Sequence, residues 1–359
     1  MSTHGIIQRF REWQQGGEPM VLATVYDTLG STYTKAGHRI LIAANGDYQG
    51  LVSGGCLEGD LAERAHKVLE TGDAATVTYD MRDDGEDLWG LGVGCNGLIR
   101  VFLQLLSPEA GYEPLASIAD GLLGVEAAGM AVVVASGKSE LVSGATLIWD
   151  GDARAAWQLD TAGVERLATG CTAAQERRTT ALEVTPDGAE VLYSPLVPIP
   201  RLLVLGAGLD AVPLVRFAAG LGWLVTVADH RPAYLEQGDF STAERAELIR
   251  PEELAAVFSL DQYDAIVVMS HHLVTDRTYL AQLERVPATY LGVLGPGARR
   301  DRLLDELGAS GEVLRGRLKG PVGLNIGADS PESIALSVLA EIHAELKSGV
   351  TTNPSLMTG

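Results

Sequence analysis

Cysteine is scarce in this chain, with three residues among 359. Cys56, Cys95 and Cys171 form no C-x-x-C pair and cannot all pair with one another. This spacing argues against a disulfide framework and against a zinc knuckle. It predicts free thiols in a reducing compartment.

Basic residues and long apolar runs are also scarce. Lys and Arg number 27 against 47 Asp and Glu, which gives a formal net charge of −20. A field of that sign repels nucleic acid and anionic membrane surfaces. No apolar run approaches the ~18–20 residues that span a bilayer, and residues 1–5 lack the basic start and apolar stretch of an export signal. We therefore expect a cytoplasmic protein that binds no nucleic acid and has no membrane span.

The length and the prolines predict two domains. A chain of 359 residues is long for one domain. Pro195, Pro198 and Pro200 interrupt the chain near its middle and mark a junction. We place an N-terminal domain at residues 1–196, a second domain at 197–347 and a frayed tail at 348–359. No sequence repeat stands out.

The second domain opens with the pattern of a dinucleotide-type βαβ unit. Four apolar residues run into a glycine-rich turn at 206–211, an amphipathic segment follows, and a second apolar run ends at Asp229. Gly206 allows a tight turn, and Gly208 lets the backbone approach a phosphate. Asp229 stands where an acid that binds a ribose is expected.

Two charged residues leave the identity of the bound cofactor undecided. Asp210 places a carboxylate inside the glycine turn. Either its side chain caps the following helix, or the turn no longer holds an ordinary pyrophosphate. Arg231 has a similar ambiguity, because Asp229 favours a free ribose hydroxyl while a neighbouring arginine can accept a phosphate.

Further strands and helices alternate after this unit, which predicts a parallel sheet with helices on both faces. The predicted strands are 246–249, 265–269 and 289–294, and the predicted helices are 252–258, 276–283 and 299–307. The expected fold class is therefore α/β, with a C-terminal Rossmann-like doubly wound parallel sheet and an N-terminal α/β domain of mixed sheet. In that first domain, residues 173–181 are predicted to be helical.

Polar residues follow two of the predicted parallel strands, at the edge where open α/β sheets bind ligands. His271 and His272 come after one strand, and we expect one of them, with His271 as the candidate, to contact a ligand. Gly295, Arg299 and Arg300 follow the next strand and suit a phosphate or another anion. No His-Glu-x-x-His or comparable three-ligand spacing predicts a metal held by the protein alone.

The candidate reactive residues of the N-terminal domain are two cysteines. Ser53, Gly54 and Gly55 precede Cys56, which is predicted to lie at a helix N-terminus, where the dipole stabilises a thiolate. The alternative is a small buried residue under a turn, with the neighbouring Glu58 opposing thiolate formation. Cys95 lies in a second glycine-rich turn, and the two thiols are candidates for one cleft.

These motifs together resemble the XdhC/CoxI family of accessory proteins for molybdenum hydroxylases. The N-terminal motifs are Ser53-Gly54-Gly55-Cys56-Leu57-Glu58 and Trp89-Gly90-Leu91-Gly92-Val93-Gly94-Cys95-Asn96-Gly97. The C-terminal motifs are the glycine turn at 206–214, Asp229-His230-Arg231-Pro232, residues 290–295 and residues 321–328. Many family members have a histidine where this chain has Asp210, which marks a different branch.

The resemblance implies a chaperone for molybdenum cofactor. This cofactor is the molybdopterin complex of molybdenum, either by itself or in a nucleotide form. Such a chaperone supports sulfuration of the cofactor and its insertion into an apo molybdenum hydroxylase of the xanthine or carbon monoxide dehydrogenase type. It implies that Cys56 and Cys95 contact the molybdenum or its sulfur, with Cys56 as the candidate metal contact. The implied partners are the apo-hydroxylase and a cysteine desulfurase. A homodimer is one possible oligomeric state.

Two other functions fit parts of the sequence. The first is an NAD(P)-dependent oxidoreductase acting on a small substrate, which Gly206, Gly208 and Asp229 favour but which lacks an evident proton donor. The second is a scaffold that joins hydroxylase and desulfurase without touching the cofactor. An accessory role is favoured over turnover.

Overall fold

The computed structural model describes residues 2–55, 57–82 and 97–348. Cys56, Cys95 and the tail from residue 349 lie outside this part of the chain. The chain divides into two compact units after Pro198. We call the described residues up to Pro198 the front unit and those from Ile199 the back unit.

The front unit contains four helices and ten strands among its described residues. In chain order they are α1 (Thr3–Gln15), β1 (Met20–Gly30), β2 (Arg39–Ala43), β3 (Tyr48–Gln49), α2 (Glu58–Thr71), β4 (Ala75–Asp80), β5 (Gly97–Leu106), α3 (Leu115–Leu123), β6 (Ala128–Ala135), β7 (Thr146–Trp149), β8 (Ala153–Trp157), α4 (Thr161–Arg177), β9 (Ala181–Val184) and β10 (Glu190–Leu196). They form two five-stranded sheets, in the orders β3-β2-β1-β5-β4 and β8-β7-β6-β10-β9.

Every strand pairing described in these two sheets is antiparallel, where a mixed sheet was expected. The connections β1–β2, β2–β3, β6–β7, β7–β8 and β9–β10 are too short for parallel pairing, because parallel neighbours need a crossover of a dozen or more residues. The predicted helix at 173–181 is also displaced: α4 ends at Arg177, and β9 begins at Ala181.

The two sheets repeat one arrangement. In each, a helix precedes the first strand, a second helix joins the third strand to the fourth, and the strand order is third, second, first, fifth, fourth. A bulge falls at Tyr26 in β1 and at the corresponding Val134 in β6. Val25 and Val133 lie just before these bulges, and each exchanges two backbone hydrogen bonds with the two residues that precede the next strand, 37–38 and 144–145. The front unit is therefore a structural duplication that the sequence did not reveal.

Each sheet of the front unit packs one face against its own helix. Val21, Ala23 and Val25 of β1 lie in one core with Leu61 and Ala65 of α2. The second sheet packs in the same way on α4. The opposite faces are buried as well, and contacts such as Arg39 Nη2 to Met130 Sδ, at 3.5 Å, join the two sheets.

The back unit is a doubly wound α/β domain. In chain order its elements are β11 (Arg201–Leu205), α5 (Ala211–Gly220), β12 (Leu224–Asp229), α6 (Pro232–Gln237), β13 (Arg245–Leu248), α7 (Leu254–Val257), β14 (Ala265–Val268), α8 (Leu273–Gln282), β15 (Tyr290–Val293), α9 (Gly297–Leu307), α10 (Ala309–Arg315), β16 (Leu318–Lys319) and α11 (Pro331–Lys347). The strand order is β13-β12-β11-β14-β15-β16, and all pairings are parallel. This order is that of a Rossmann fold, which confirms the predicted fold class.

Alternate residues of β11 point to opposite faces of this sheet. Leu202 and Val204 lie in a core with α5 and α11, and Leu203 and Leu205 lie in a core with α8 and α9. The connections after β11 and β14 therefore lead to opposite faces, and a crevice forms between them at the carboxyl edge. No helix among the described residues is both long and apolar enough to cross a bilayer.

Candidate functional site

The flanks of both cysteine motifs lie at one end of the first sheet. Strand β1 ends at Gly30, which pairs with Gly97, the first residue of β5. The Met81 N–H donates to the carbonyl of Gly97 at 2.9 Å, so the chain leaves and re-enters the sheet at this point. Gly50 lies against Arg39 at the same end, because β3 runs antiparallel to β2. Three connections therefore leave the first sheet at the same end, namely 31–38, 50–57 and 81–96.

The connection 31–38, which we call the hairpin loop, contacts both flanks. The Thr34 hydroxyl is buried and donates to the carbonyl of Val52 at 2.9 Å. A Cβ at Gly97 would lie 2.5 Å from the Ser31 carbonyl oxygen, so only glycine fits there. The hairpin loop thus fixes the residues that precede Cys56 and those that follow Cys95.

Glu58 anchors the segment before and after Cys56. Its side chain is 1% exposed, and its carboxylate accepts hydrogen bonds from the N–H groups of Val52, Ser53, Gly55 and Leu57 at 2.8–3.1 Å and from the Ser53 hydroxyl at 2.9 Å. Burial raises the pKa of this carboxyl, but the hydrogen bonds outweigh burial and hold the pKa below its ordinary value. The negative charge is therefore directed at the loop backbone.

Tyr33 is a residue of this region that the sequence reasoning missed. Its side chain is 63% exposed, and a Cβ at Gly54 would lie 3.8 Å from its Cε2 atom. It stands in a polar loop with no periodic neighbours, so nothing in the pattern singled it out. Ser53, Gly54 and Gly55 were predicted to bind cofactor, and Tyr33 lies beside them.

In the back unit, the glycine turn lies in the crevice between β11 and β14. Gly206 has φ +130°, and a Cβ there would lie 2.5 Å from the Met269 carbonyl carbon. Only glycine permits so close an approach between the two connections. Gly208 follows at the mouth of the turn, where a Cβ would meet Asp210 Oδ1 at 2.5 Å.

Asp210 contacts His271 across this crevice. Asp210 Oδ2 lies 2.7 Å from His271 Nε2, and Asp210 makes no cap hydrogen bond to α5, so the capping alternative is not what the structure has. His271 takes a left-handed conformation with φ +61° and a side chain 55% exposed. The hydrogen bond to Asp210 raises the pKa of His271. His272 instead caps α8 by accepting from the Thr275 N–H.

Asp229 and Arg231 hold the glycine turn together. The Asp229 carboxylate has no exposed surface. It accepts from the Ala207 N–H at 2.7 Å and from Arg231 Nη2 at 2.7 Å. Burial raises the pKa of this carboxyl, but the bonds from Arg231 and Ala207 leave it below its ordinary value. Arg231 also donates to the Ser270 carbonyl, so it joins the two connections.

The paired arginines after β15 are held by protein groups. Arg299 Nη2 lies 2.7 Å from an oxygen of the buried Asp276, which also accepts from the Ser270 hydroxyl. Arg300 bonds to Asp301 and donates to the Gly320 carbonyl. Gly295 has φ +123°, and a Cβ there would lie 2.7 Å from Arg299 Cδ. Arg299 is therefore linked through Asp276 to the connection that carries His271.

The candidate residues thus fall into two groups, one in each unit. Within the described ranges, no cluster of three or more His, Cys, Asp or Glu side chains could hold a metal ion. Cys171, the remaining cysteine, is buried in α4, and burial raises the pKa of its thiol to about 12. It is therefore an inert thiol.

Comparison with known proteins decides the family. A model described as the XdhC Rossmann domain matches residues 202–342, and one described as the XdhC and CoxI family matches residues 13–80. A Bacillus subtilis protein named as a probable xanthine dehydrogenase component is 33% identical over 328 residues, which cover 90% of this chain and 92% of that protein. The chain belongs to the XdhC and CoxI family.

Two further relatives span nearly the whole chain. The molybdenum cofactor insertion chaperone PaoD of Escherichia coli is 24% identical over 343 residues, covering 94% of this chain and 87% of PaoD. A crystal structure described as a xanthine dehydrogenase from Bacillus halodurans superposes with a TM-score of 0.76 and 28% identity, covering 99% of this chain and 98% of that one. The predicted family resemblance is confirmed.

Proposed function

We propose that the chain binds molybdenum cofactor and delivers it to an apo molybdenum hydroxylase of the xanthine or carbon monoxide dehydrogenase type. The observation that carries the proposal is the meeting of both cysteine-motif flanks at one end of the first sheet. The relationship to PaoD, which is named as an insertion chaperone, supports it.

Thiolates suit this cargo because sulfur is a soft ligand for a transition metal. Cys56 and Cys95 are proposed to contact the molybdenum or its sulfur. Glu58 assists by fixing the loop around Cys56 while its charge is taken up by four backbone N–H groups. A reducing compartment, the cytoplasm, suits a role that needs free thiols.

The crevice of the back unit is proposed to bind the phosphate of the cargo. The N-terminus of α5 carries a positive dipole end at the glycine turn. Asp210 would repel a phosphate by itself, but a protonated His271, 2.7 Å away, offsets its charge. Sulfuration with a cysteine desulfurase is the finer part of the proposal, and it rests on the family resemblance.

The test is to measure cofactor carried by the purified full chain. We expect pterin, released by acid and measured by fluorescence, to fall severalfold in Cys56→Ala and Cys95→Ala. Cys171→Ala is the matched control, since this thiol is buried in α4, and it should retain wild-type loading. Equal pterin content in all four proteins removes the thiols from the mechanism, and a chain that carries no pterin at all favours the scaffold.

An NAD(P)-dependent oxidoreductase is the second candidate, and the Rossmann strand order favours it. Against it, the Asp229 carboxylate is buried and bonded to Ala207 and Arg231, so it presents no surface to a ribose hydroxyl. Incubation with NADH or NADPH separates the candidates. Tight binding, with hydride transfer from the reduced cofactor to a small substrate that is itself reduced, supports the oxidoreductase.

A further inference from the structure

A cavity of about 530 Å³ lies at the carboxyl edge of the back unit. Its walls are residues 294–296 after β15, the loop 321–326 after β16, and Ala328, Ile334 and Ser337. Its volume falls within the ~300–1,000 Å³ typical of small-molecule sites. None of the residues assigned above to cysteine chemistry or to the glycine turn lines it, and of the candidate anion-binding residues after β15 only Gly295 does.

The lining is uncharged. No titratable side chain occurs among the residues that line the cavity, and Asn325 and Ser337 carry its two polar side chains. The Ser337 hydroxyl is already bonded, because it donates to the Leu324 carbonyl at 2.6 Å. Among the described residues, the Asn325 amide has no hydrogen-bond partner. A ligand group that fits is therefore uncharged, with apolar faces and a polar edge for one amide.

The loop that forms one wall is anchored at Gly323 and Leu324. Gly323 has φ +93°, and a Cβ there would lie 2.2 Å from Ser337 Oγ. Its N–H donates to Glu341 at 2.8 Å, and the Leu324 N–H donates to the Ser337 carbonyl at 3.2 Å. This part of the wall is thus preformed, so a ligand need not order it.

The position of the cavity connects it to the glycine turn. β15 neighbours β14, and β14 neighbours β11. Since adjacent strands lie about 4.8 Å apart, the cavity starts about 10 Å along the edge from Gly206. We propose that the cavity receives the uncharged heteroaromatic ring of a ligand whose phosphate binds at the glycine turn. This inference rests on the proposed function, under which the ring is a pterin. A nicotinamide ring is also a planar heteroaromatic group and would be recognised by the same lining.

Fluorescence titration of the full chain with 6-hydroxymethylpterin and with NADH tests the inference. Leu324→Asp puts a charge at the apolar mouth, and Leu336→Asp is the matched control, because Leu324 is 44% and Leu336 57% exposed, and Leu336 does not line the cavity. We expect Leu324→Asp to raise the dissociation constant about tenfold or more and the control to leave it unchanged. Ala328→Trp, which fills the cavity, should act like Leu324→Asp, with Leu336→Trp as its control.

The two probes separate this inference from the proposed function. Pterin binding that both lining variants weaken supports both. NADH binding that they weaken, with no pterin binding, supports the cavity as a ring site and contradicts the cofactor chaperone. If neither probe binds the wild-type chain, or if the lining variants behave like their controls, the inference is overturned. Melting temperatures identify a variant that fails to fold, and the other lining variant then decides.

Discussion

Glu58 and Asp229 do the same physical work in the two units. Each is a buried carboxylate that accepts N–H groups from a glycine-rich segment, Glu58 from Gly55 and Asp229 from Ala207. Burial by itself would raise the pKa of either group, and the donated hydrogen bonds reverse the shift. Both loops are therefore shaped by a buried charge, whereas the sequence pattern predicted a ribose-binding acid at Asp229 and a carboxylate opposing the Cys56 thiolate at Glu58.

Replacing Glu58 by glutamine should destabilise the front unit. The amide cannot accept from all the donors that face the carboxylate, and hydrogen bonds to charged groups make large contributions, so we expect a loss of about 3 kcal/mol in the free energy of unfolding. Urea denaturation measures it. Glu63→Gln, at an exposed position of the same helix, is the control and should change little. Equal stability of the two variants would contradict the anchoring role.

The same loss should depend on pH. The folded-state pKa of Glu58 is depressed from its ordinary value of about 4.3. Its contribution is therefore complete above the unfolded-state pKa and is lost as the pH falls through the folded-state pKa. The difference in unfolding free energy between wild type and Glu58→Gln should shrink as the pH falls from the unfolded-state pKa through the folded-state pKa. A difference that is constant over this range would refute the assignment.

His271 should titrate above the ordinary histidine pKa of about 6.5. The hydrogen bond to Asp210 is the cause, so its stabilising effect is complete below the unfolded-state pKa and is lost as the pH rises through the folded-state pKa. We expect Asp210→Asn to lower the pKa of His271, as followed by NMR of the imidazole protons. Asp329→Asn, an exposed control, should leave it unchanged. A pKa indifferent to Asp210 would show that the bridge is absent in solution.

At the scale of elements, the hairpin loop 31–38 ties the cysteine-motif flanks together through Thr34. Thr34→Val keeps the shape but removes the donor to the Val52 carbonyl. We expect a loss of about 1–3 kcal/mol in stability, because a buried acceptor loses its partner, and a lower pterin content. Thr78→Val on the exposed side of β4 is the control. Loading that survives Thr34→Val would separate this hydrogen bond from the proposed function.

Helices and strands were predicted well from the sequence where the spacing of apolar residues and the positions of glycines indicate the same element. The βαβ unit followed from an apolar strand, Gly206 and Asp229, and the parallel sheet followed from the alternation after it. Short elements were missed, such as β16 at Leu318–Lys319, because two residues give no periodicity. The hydrogen bond from Asp210 to His271 was also beyond prediction, since the two residues meet only when β11 and β14 pair.

The duplication was missed for a different reason. Its two copies share backbone features rather than side chains: Gly37 and Gly144 have φ +96° and +95° at equivalent turns, and Val25 and Val133 precede equivalent bulges. The connections differ most, because the first copy joins its fourth and fifth strands through residues 81–96 and the second through 185–189. Both cysteine motifs lie in connections that are longer in the first copy, so the copy that carries the proposed thiol chemistry is the elaborated one.

At the scale of the whole molecule, the cores predict which parts fold alone. The back unit has two cores built from its own residues, one on each face of its sheet. The second copy of the front unit differs, because α4 covers one face of β6 while Met130 on the other face contacts Arg39 of the first copy. Separating it exposes an apolar sheet face, which favours aggregation.

We therefore expect residues 199–348 to unfold cooperatively as an isolated fragment, with a sigmoidal urea transition followed by circular dichroism. Residues 113–198 should fail to give such a transition, because the first copy covers the face of their sheet that α4 leaves open. Residues 2–198 serve as the control that restores this burial and should unfold cooperatively. A stable, monomeric 113–198 fragment would mean that the sheet contact contributes little and that the two copies are independent domains.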